Sequence, residues 1–303
     1  MKTSIIAFTE KGCGIGLILA KELKGDFSYG TGKNKVDSSK WIEDVWGTSE
    51  LIIFVSATGI AVRRIAPFIK SKVEDPAVLV IDDNGKFCIS LLSGHIGKAN
   101  KYAEYVSEII NAIPVITTAT DINSVFSIDA WATECNMTIV NPEKIKDVSR
   151  RALKGEAIDP YKDAEIGVYR KVTDKLILVP RVLTVGVGCK KGIEPKKLLD
   201  FYSKVFNDNN IYECAVEAIA TINIKRNEEA IINLCEEKGV DLKVFTSEEL
   251  NRLEGEFTSS DFVKRTVGTD NVCERSAVLS NQGKLIVKKT SQDGMTMAIS
   301  IKE

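Results

Sequence analysis

Histidine is all but missing: the 303 residues hold one, His95. Cysteine is less scarce, but its seven residues, at positions 13, 88, 135, 189, 214, 235 and 273, are scattered, with no Cys-x-x-Cys pair. Neither a zinc site nor a disulfide framework is indicated, and no metal ligands are assigned. The thiols read as reduced, which places the protein in the cytoplasm. No charge of one sign dominates. The net charge is -1, so no nucleic-acid or acidic-membrane partner is suggested. Long apolar runs are absent too: the first ends at Phe8, with Glu10 and Lys11 close behind, too short for a signal peptide or a membrane span. There is no repeat and no low-complexity segment.

What is present is a succession of short apolar runs and amphipathic stretches, long enough in total for two compact domains with a core each. Ser4 to Phe8 reads as a strand, Gly12-Cys13-Gly14-Ile15-Gly16 as a glycine-rich turn, and Leu17 to Leu23 as a helix. The spacing does not fit G-x-G-x-x-G, so a tight turn that lets a helix approach a sheet is the preferred reading over phosphate binding. Later runs at Val182–Val187, Ala218–Ile224 and Leu242–Phe245 alternate with helical patterns, and a hairpin is expected around Asp293-Gly294. The expected fold is α/β: two α/β domains with mixed sheets, at 1–135 and 181–303, joined by a connecting module at 136–180.

The stretch from Leu51 to Asp121 organises the chain. Leu51–Val55 is a run buried on both faces, broken by Ser56-Ala57-Thr58-Gly59. Ala77–Ile81 and Phe87–Leu92 flank Asp82-Asp83-Asn84-Gly85, a hairpin signal. Ser93-Gly94-His95-Ile96-Gly97 then leads into an amphipathic helix from Ala99. Pro114-Val115-Ile116 reads as a strand ending in Thr117-Thr118-Ala119-Thr120-Asp121, and Ser124 as the cap of a helix reaching about Cys135. Three strand-to-helix junctions are thus expected to converge on one edge of a sheet, each offering N–H groups and hydroxyls. With Arg63, Arg64 and Lys98 they suit an oxyanion-rich ligand.

Each candidate has a plainer reading. His95 sits between glycines, where an imidazole can face a cleft and move protons, but a lone histidine is also often structural. Arg63 and Arg64 diverge by about 100° on a helix, so one of them at most faces a site. Asp121 can be a helix cap, and Lys190 and Lys191 in Gly188-Cys189-Lys190-Lys191-Gly192 a solvated turn.

LIIFVSATGIAVR, KVEDPAVLVID, LLSGHIGKAN and VITTATD, with LTVGVGCKKG downstream, resemble the cobalamin biosynthesis protein G family, the cobalt-precorrin-5A hydrolases, in order and spacing over nearly the whole chain. The family tends to carry two glycines after the histidine; here the second is Lys98, which adds a cation. The resemblance implies opening of the δ-lactone of cobalt-precorrin-5A, release of acetaldehyde and formation of cobalt-precorrin-5B in anaerobic vitamin B12 synthesis. The cobalt arrives in the tetrapyrrole substrate and no further cofactor is implied; other corrin-pathway enzymes are the protein partners it suggests. His95 is the candidate base, with Asp121 as the second catalytic group. Ser56, Thr58, Gly59, Ser93, Gly94, Gly97, Asn100, Thr117, Thr118 and Thr120 would bind substrate or an oxyanion, and Arg63, Arg64, Lys98 and Lys190, with Gly188, would hold its carboxylates. A non-catalytic tetrapyrrole carrier and a nucleotide-using protein built on Gly12–Gly16 stay open as alternatives.

Overall fold

The computed structural model describes residues 2–122, 125–260, 265 and 267–303. The chain forms two compact units, 1–134 with 142–160, and 135–141 with 161–303. The stretch 136–180, read from sequence as one connecting module, is therefore shared between them.

The first unit is built on six strands, β1 (Thr3–Ala7), β2 (Asp26–Tyr29), β3 (Leu51–Val55), β4 (Ala77–Ile81), β5 (Phe87–Leu92) and β6 (Ile113–Val115), in the order β2-β1-β3-β4-β5-β6. β1, β3 and β4 are buried along their whole length, as their unbroken aliphatic sequences require. Alternate residues feed two cores. Ile5, Leu51, Ile53 and Leu79 face one side, with α1 (Glu10–Leu23) and α4 (Ala99–Ile110). Ile6, Ile52, Phe54 and Val80 face the other, with α2 (Ser38–Trp46) and α3 (Thr58–Ile65). The unit continues with α5 (Ala119–Ile122), α6 (Ile128–Glu134) and α7 (Ile145–Leu153). The expected cap at Ser124 lies outside the described residues.

Two sequence readings are corrected here. Gly12, Gly14 and Gly16 are not a turn: α1 begins at Glu10, with Thr9 Oγ1 accepting from Gly12 N at 2.9 Å. Gly16 serves close packing, since a Cβ there would stand 2.3 Å from the Phe27 ring. The Asp83 carboxylate also bonds to Thr9 at this helix start, so an acid already occupies the place a phosphate would take.

The second correction concerns the sheet edge. All neighbours pair in parallel except β4 and β5, where Val78 faces Leu92 and Ile81 faces Cys88. That hairpin reverses the chain. Ser56 leaves β3 beside Ile81, whereas Ser93 leaves β5 beside Val78, at the other end of β4. At about 3.3 Å per residue the two junctions are on the order of 13 Å apart along the strand. Only the turns after β5 and β6 share an edge, because these two strands are parallel.

The second unit holds a three-stranded sheet, β7 (Met137–Ile139), β8 (Ala164–Ile166) and β9 (Leu176–Pro180), in the order β7-β9-β8. A helical turn, α8 (Pro160–Asp163), precedes β8. Its larger sheet has β10 (Leu183–Cys189), β11 (Val216–Ile222), β12 (Asp241–Phe245), β13 (Lys284–Gln292) and β14 (Met295–Ile301) in the order β12-β11-β10-β14-β13. α9 (Pro195–Asp208) and α10 (Glu229–Lys238) bury Leu198, Phe201, Tyr202 and Leu234 in the main core. α11 (Ser247–Arg252) opens on a capping box formed by Thr246 and Glu249. α12 (Val272–Asn281) lies so close to β10 that a Cβ on Gly186 would fall 1.8 Å from the Cys273 carbonyl oxygen. Both units are mixed α/β, as expected from the sequence.

Candidate functional site

The turn between β5 and α4 is held in an unusual backbone shape. Ser93 and Lys98, which bracket Gly94–Gly97, both have left-handed φ, 59° and 66°. Ala99 N donates to Ser93 O (3.1 Å), Asn100 N to Gly94 O (3.1 Å) and Lys98 N to His95 O (3.0 Å). A Cβ on Gly97 would approach Ser93 Cβ to 2.5 Å, so the tight turn needs glycine there. Ser93 tolerates its conformation because its buried hydroxyl donates to Asp75 O at 3.0 Å. The Asp75 carboxylate in turn takes Lys70 N on both oxygens, at 3.0 and 3.1 Å. The segment ahead of β4 thus clamps the turn from outside.

This turn aims His95 at two carboxylates. Nε2 lies 2.8 Å from Asp121 Oδ2 in α5, and Nδ1 lies 3.2 Å from Asp129 Oδ1 in α6. Ser127 Oγ is 3.1 Å from Nδ1 and donates to Asp129 Oδ1 at 2.6 Å. Lys72 Nζ reaches Asp129 Oδ2 at 3.3 Å. Asn100, buried at the start of α4, donates from Nδ2 to Asp121 Oδ2 (3.0 Å) and Thr118 Oγ1 (3.1 Å), and accepts from Ser90 (2.7 Å). The Asp129 hydrogen bond pushes the His95 pKa up; burial opposes it and Asp121 adds to it. For Asp129, burial is the largest influence and favours the neutral acid. The hydrogen bonds from His95 and Ser127 and the charges of His95 and Lys72 together outweigh it and hold the carboxyl well below its usual range.

A cavity of about 660 Å³ opens on this cluster, within the usual range for small-molecule sites. His95, Asp121, Asn100 and Gly94 line it with Lys98, and Ile116 and Thr133 add less polar wall. Lys101, paired with Glu134 at 2.8 Å, and Glu104 also reach it. Among the described residues Lys98 makes no ion pair.

The family model for "Cobalamin synthesis G N-terminal" matches residues 40–121, and that for "Cobalamin synthesis G C-terminus" residues 183–300. A Salmonella typhimurium protein named cobalt-precorrin-5A hydrolase is 31% identical over 84% of this chain and 82% of its own length. The chain belongs to the cobalamin biosynthesis protein G family. A Priestia megaterium protein of the same name is 28% identical, over 82% of this chain and 78% of that protein. A solved Sulfolobus solfataricus homolog of cobalamin biosynthesis protein G is 26% identical and covers 100% of this chain and 97% of its own, with a TM-score of 0.41.

The structure gathers His95, Asp121, Ser93, Gly94, Gly97, Lys98, Asn100, Thr118 and Thr120, the last with Oγ1 3.5 Å from His95 Nε2. Thr117 leads into that cluster. Lys98 holds a left-handed φ at the start of α4. Ser56, Thr58, Gly59, Arg63 and Arg64 do not line this cavity, because the β4–β5 reversal sends their turn to the opposite edge. Arg63 Nη1 folds back on Gly59 O at 3.2 Å, and Arg64 Nη1 donates to Ser39 Oγ at 2.6 Å. Gly188 and Lys190 belong to the second unit. There the Gly192 N–H, one of the donors of their turn, is already taken by Glu228 Oε1 at 2.7 Å. Sequence reasoning passed over Ser127, Asp129 and Lys72. The available signal was Asp129 itself, an acid between Ile128 and Ala130 on the buried face of an apolar helix.

Proposed function

We propose that this protein is a hydrolase that opens the lactone of cobalt-precorrin-5A. Similarity to proteins named for that activity over most of the chain supports the reading, and the observation that carries it structurally is the His95–Asp121 pair on the wall of the cavity. His95 and Asp121 are the proton-handling groups. Water attacks the lactone carbonyl, and the turn at Gly94 and the Asn100 amide, both on the cavity wall, meet the oxyanion that forms. Lys98 is placed to meet a carboxylate of the tetrapyrrole. The cobalt travels within the substrate. Loss of acetaldehyde from the opened product follows if the alcohol proton is removed, its C–O bond becomes a carbonyl, and the adjoining carbon–carbon bond breaks toward the macrocycle. Seven cysteines without a disulfide among them support a reducing compartment, the cytoplasm. No helix among the described residues is long and apolar enough to cross a membrane.

Purified protein supplied with cobalt-precorrin-5A and no cofactor is expected to release acetaldehyde in proportion to product. Tight substrate binding with no acetaldehyde would show a carrier instead.

A further inference from the structure

His95 offers no ring nitrogen to a proton. Both nitrogens face carboxylate oxygens, which only accept. A neutral imidazole would set one bare lone pair against an oxygen lone pair. Ser127 does not relieve this, because its hydroxyl hydrogen is directed to Asp129 Oδ1 at 2.6 Å, and the Thr120 hydroxyl, 3.5 Å from Nε2, lies far beyond the 2.8 Å contact with Asp121. The protonated ring donates on both sides. The two acids differ: the Asp129 side chain is 7% exposed and also held by Ser127 and Lys72, while that of Asp121 is 40% exposed on the cavity.

We propose that His95 acts as an imidazolium acid, that Asp121 is the base of lactone opening, and that Asp129 is a positioning residue that keeps the ring charged and Nε2 turned to the cavity. The assignment rests on the hydrolase reading. In the step, a water proton passes to Asp121 as the water oxygen bonds to the lactone carbonyl carbon. The ring C–O bond breaks, and the departing alkoxide takes the Nε2 proton of His95. The products are a carboxylic acid and an alcohol. Proton transfer from Asp121 to Nε2, across their 2.8 Å contact, restores both groups. The raised pKa of His95 agrees with this order of roles. Besides Asp121 and Asp129, the charges around the ring are Lys72, from the segment before β4, and Lys98, Lys101, Glu104 and Glu134 on the cavity wall.

As the only histidine, His95 gives imidazole NMR signals that need no assignment. The free protein, titrated with nitrogen-15 detection, is expected to keep both ring nitrogens protonated at pH 7. In Asp129→Asn the midpoint should fall by about 1–3 pH units, and the alkaline limb of kcat/KM should fall with it. Asp129→Glu should restore part of both. The wild-type titration decides the charge state even if Asp129→Asn does not fold. A neutral ring at pH 7, or activity that grows as His95 loses its proton, overturns the proposal even while acetaldehyde is released. An intact imidazolium without acetaldehyde release overturns the hydrolase reading, and the roles with it.

Discussion

His95 Nε2 and Asp121 Oδ2 are 2.8 Å apart, yet the histidine side chain is 10% exposed and the aspartate side chain 40%. The ring is fixed by its turn and by Asp129; the acid stands on a single helical turn at the cavity. Asn100 Nδ2 also holds that oxygen, at 3.0 Å, so the acid stays oriented while its side chain remains open to the cavity.

Replacing the ring has two separable effects. His95→Asn should cut acetaldehyde turnover by about 10²–10⁴, the usual range for an acid–base group. It also leaves Asp129 buried with Ser127 and Lys72 alone, which should cost about 1–3 kcal/mol. His95→Asn combined with Asp129→Asn should recover part of the lost stability and none of the turnover. Urea unfolding and an acetaldehyde assay on the same samples separate the two; equal recovery of both would contradict the assignment.

Stability should follow pH in a defined window. A raised His95 pKa stabilises fully below about 6.5, and the effect fades as pH rises through the folded-state value. A lowered Asp129 pKa stabilises fully above about 3.9, and the effect fades as pH falls through its folded-state value. The pair therefore contributes most between about pH 4 and 6.5. Denaturation of the wild type at pH 5.5 and 8.5 should show a loss that the His95→Asn, Asp129→Asn double variant largely lacks.

Lys98→Gly removes a side chain from a left-handed position and should stabilise the fold by about 1 kcal/mol. It also removes a cation from the cavity wall, so KM for the anionic substrate should rise more than kcat changes. A higher melting temperature with unchanged KM would take Lys98 out of substrate binding.

The division of the chain bears on fragments. Val168 and Val179 are buried in the core of the second unit, so cutting at residue 181 discards them. Each contributes about 1.5–3 kcal/mol when fully buried. Residues 161–303 should unfold cooperatively at higher urea than residues 181–303. Equal midpoints would show that β8 and β9 add nothing to that core.

Much of this was legible in the chain. Leu51–Val55 and Ala77–Ile81 announce buried strands because nothing polar interrupts them, and Asp82–Gly85 marks the hairpin. β2 escaped notice because its four residues, Asp26-Phe27-Ser28-Tyr29, are only partly buried and read like a loop. The glycines of α1 looked like a turn because the helical role of Gly16 depends on Phe27, a neighbour in space. That His95 and Asp121 come together agrees with the expected convergence of their two turns. The edge to which Arg63 belongs was not legible, since it depends on how β5 pairs with β4. Asp129 meets His95, and Lys72 meets Asp129, only through tertiary contacts across 34 and 57 positions of sequence.

The reversed hairpin also sets the direction of the helices above it. α1 leaves β1 at one edge of the sheet, α4 leaves β5 at the other, and the two pack side by side on the same face. Their dipoles therefore oppose one another, with the negative end of α1, near Lys21 and Lys24, at the level where the positive end of α4 begins. The two ends offset each other at long range. At close range His95 still sits in the turn ahead of the positive end of α4, so its proton is kept there by the neighbouring acids, and exchanging one of them can retune it.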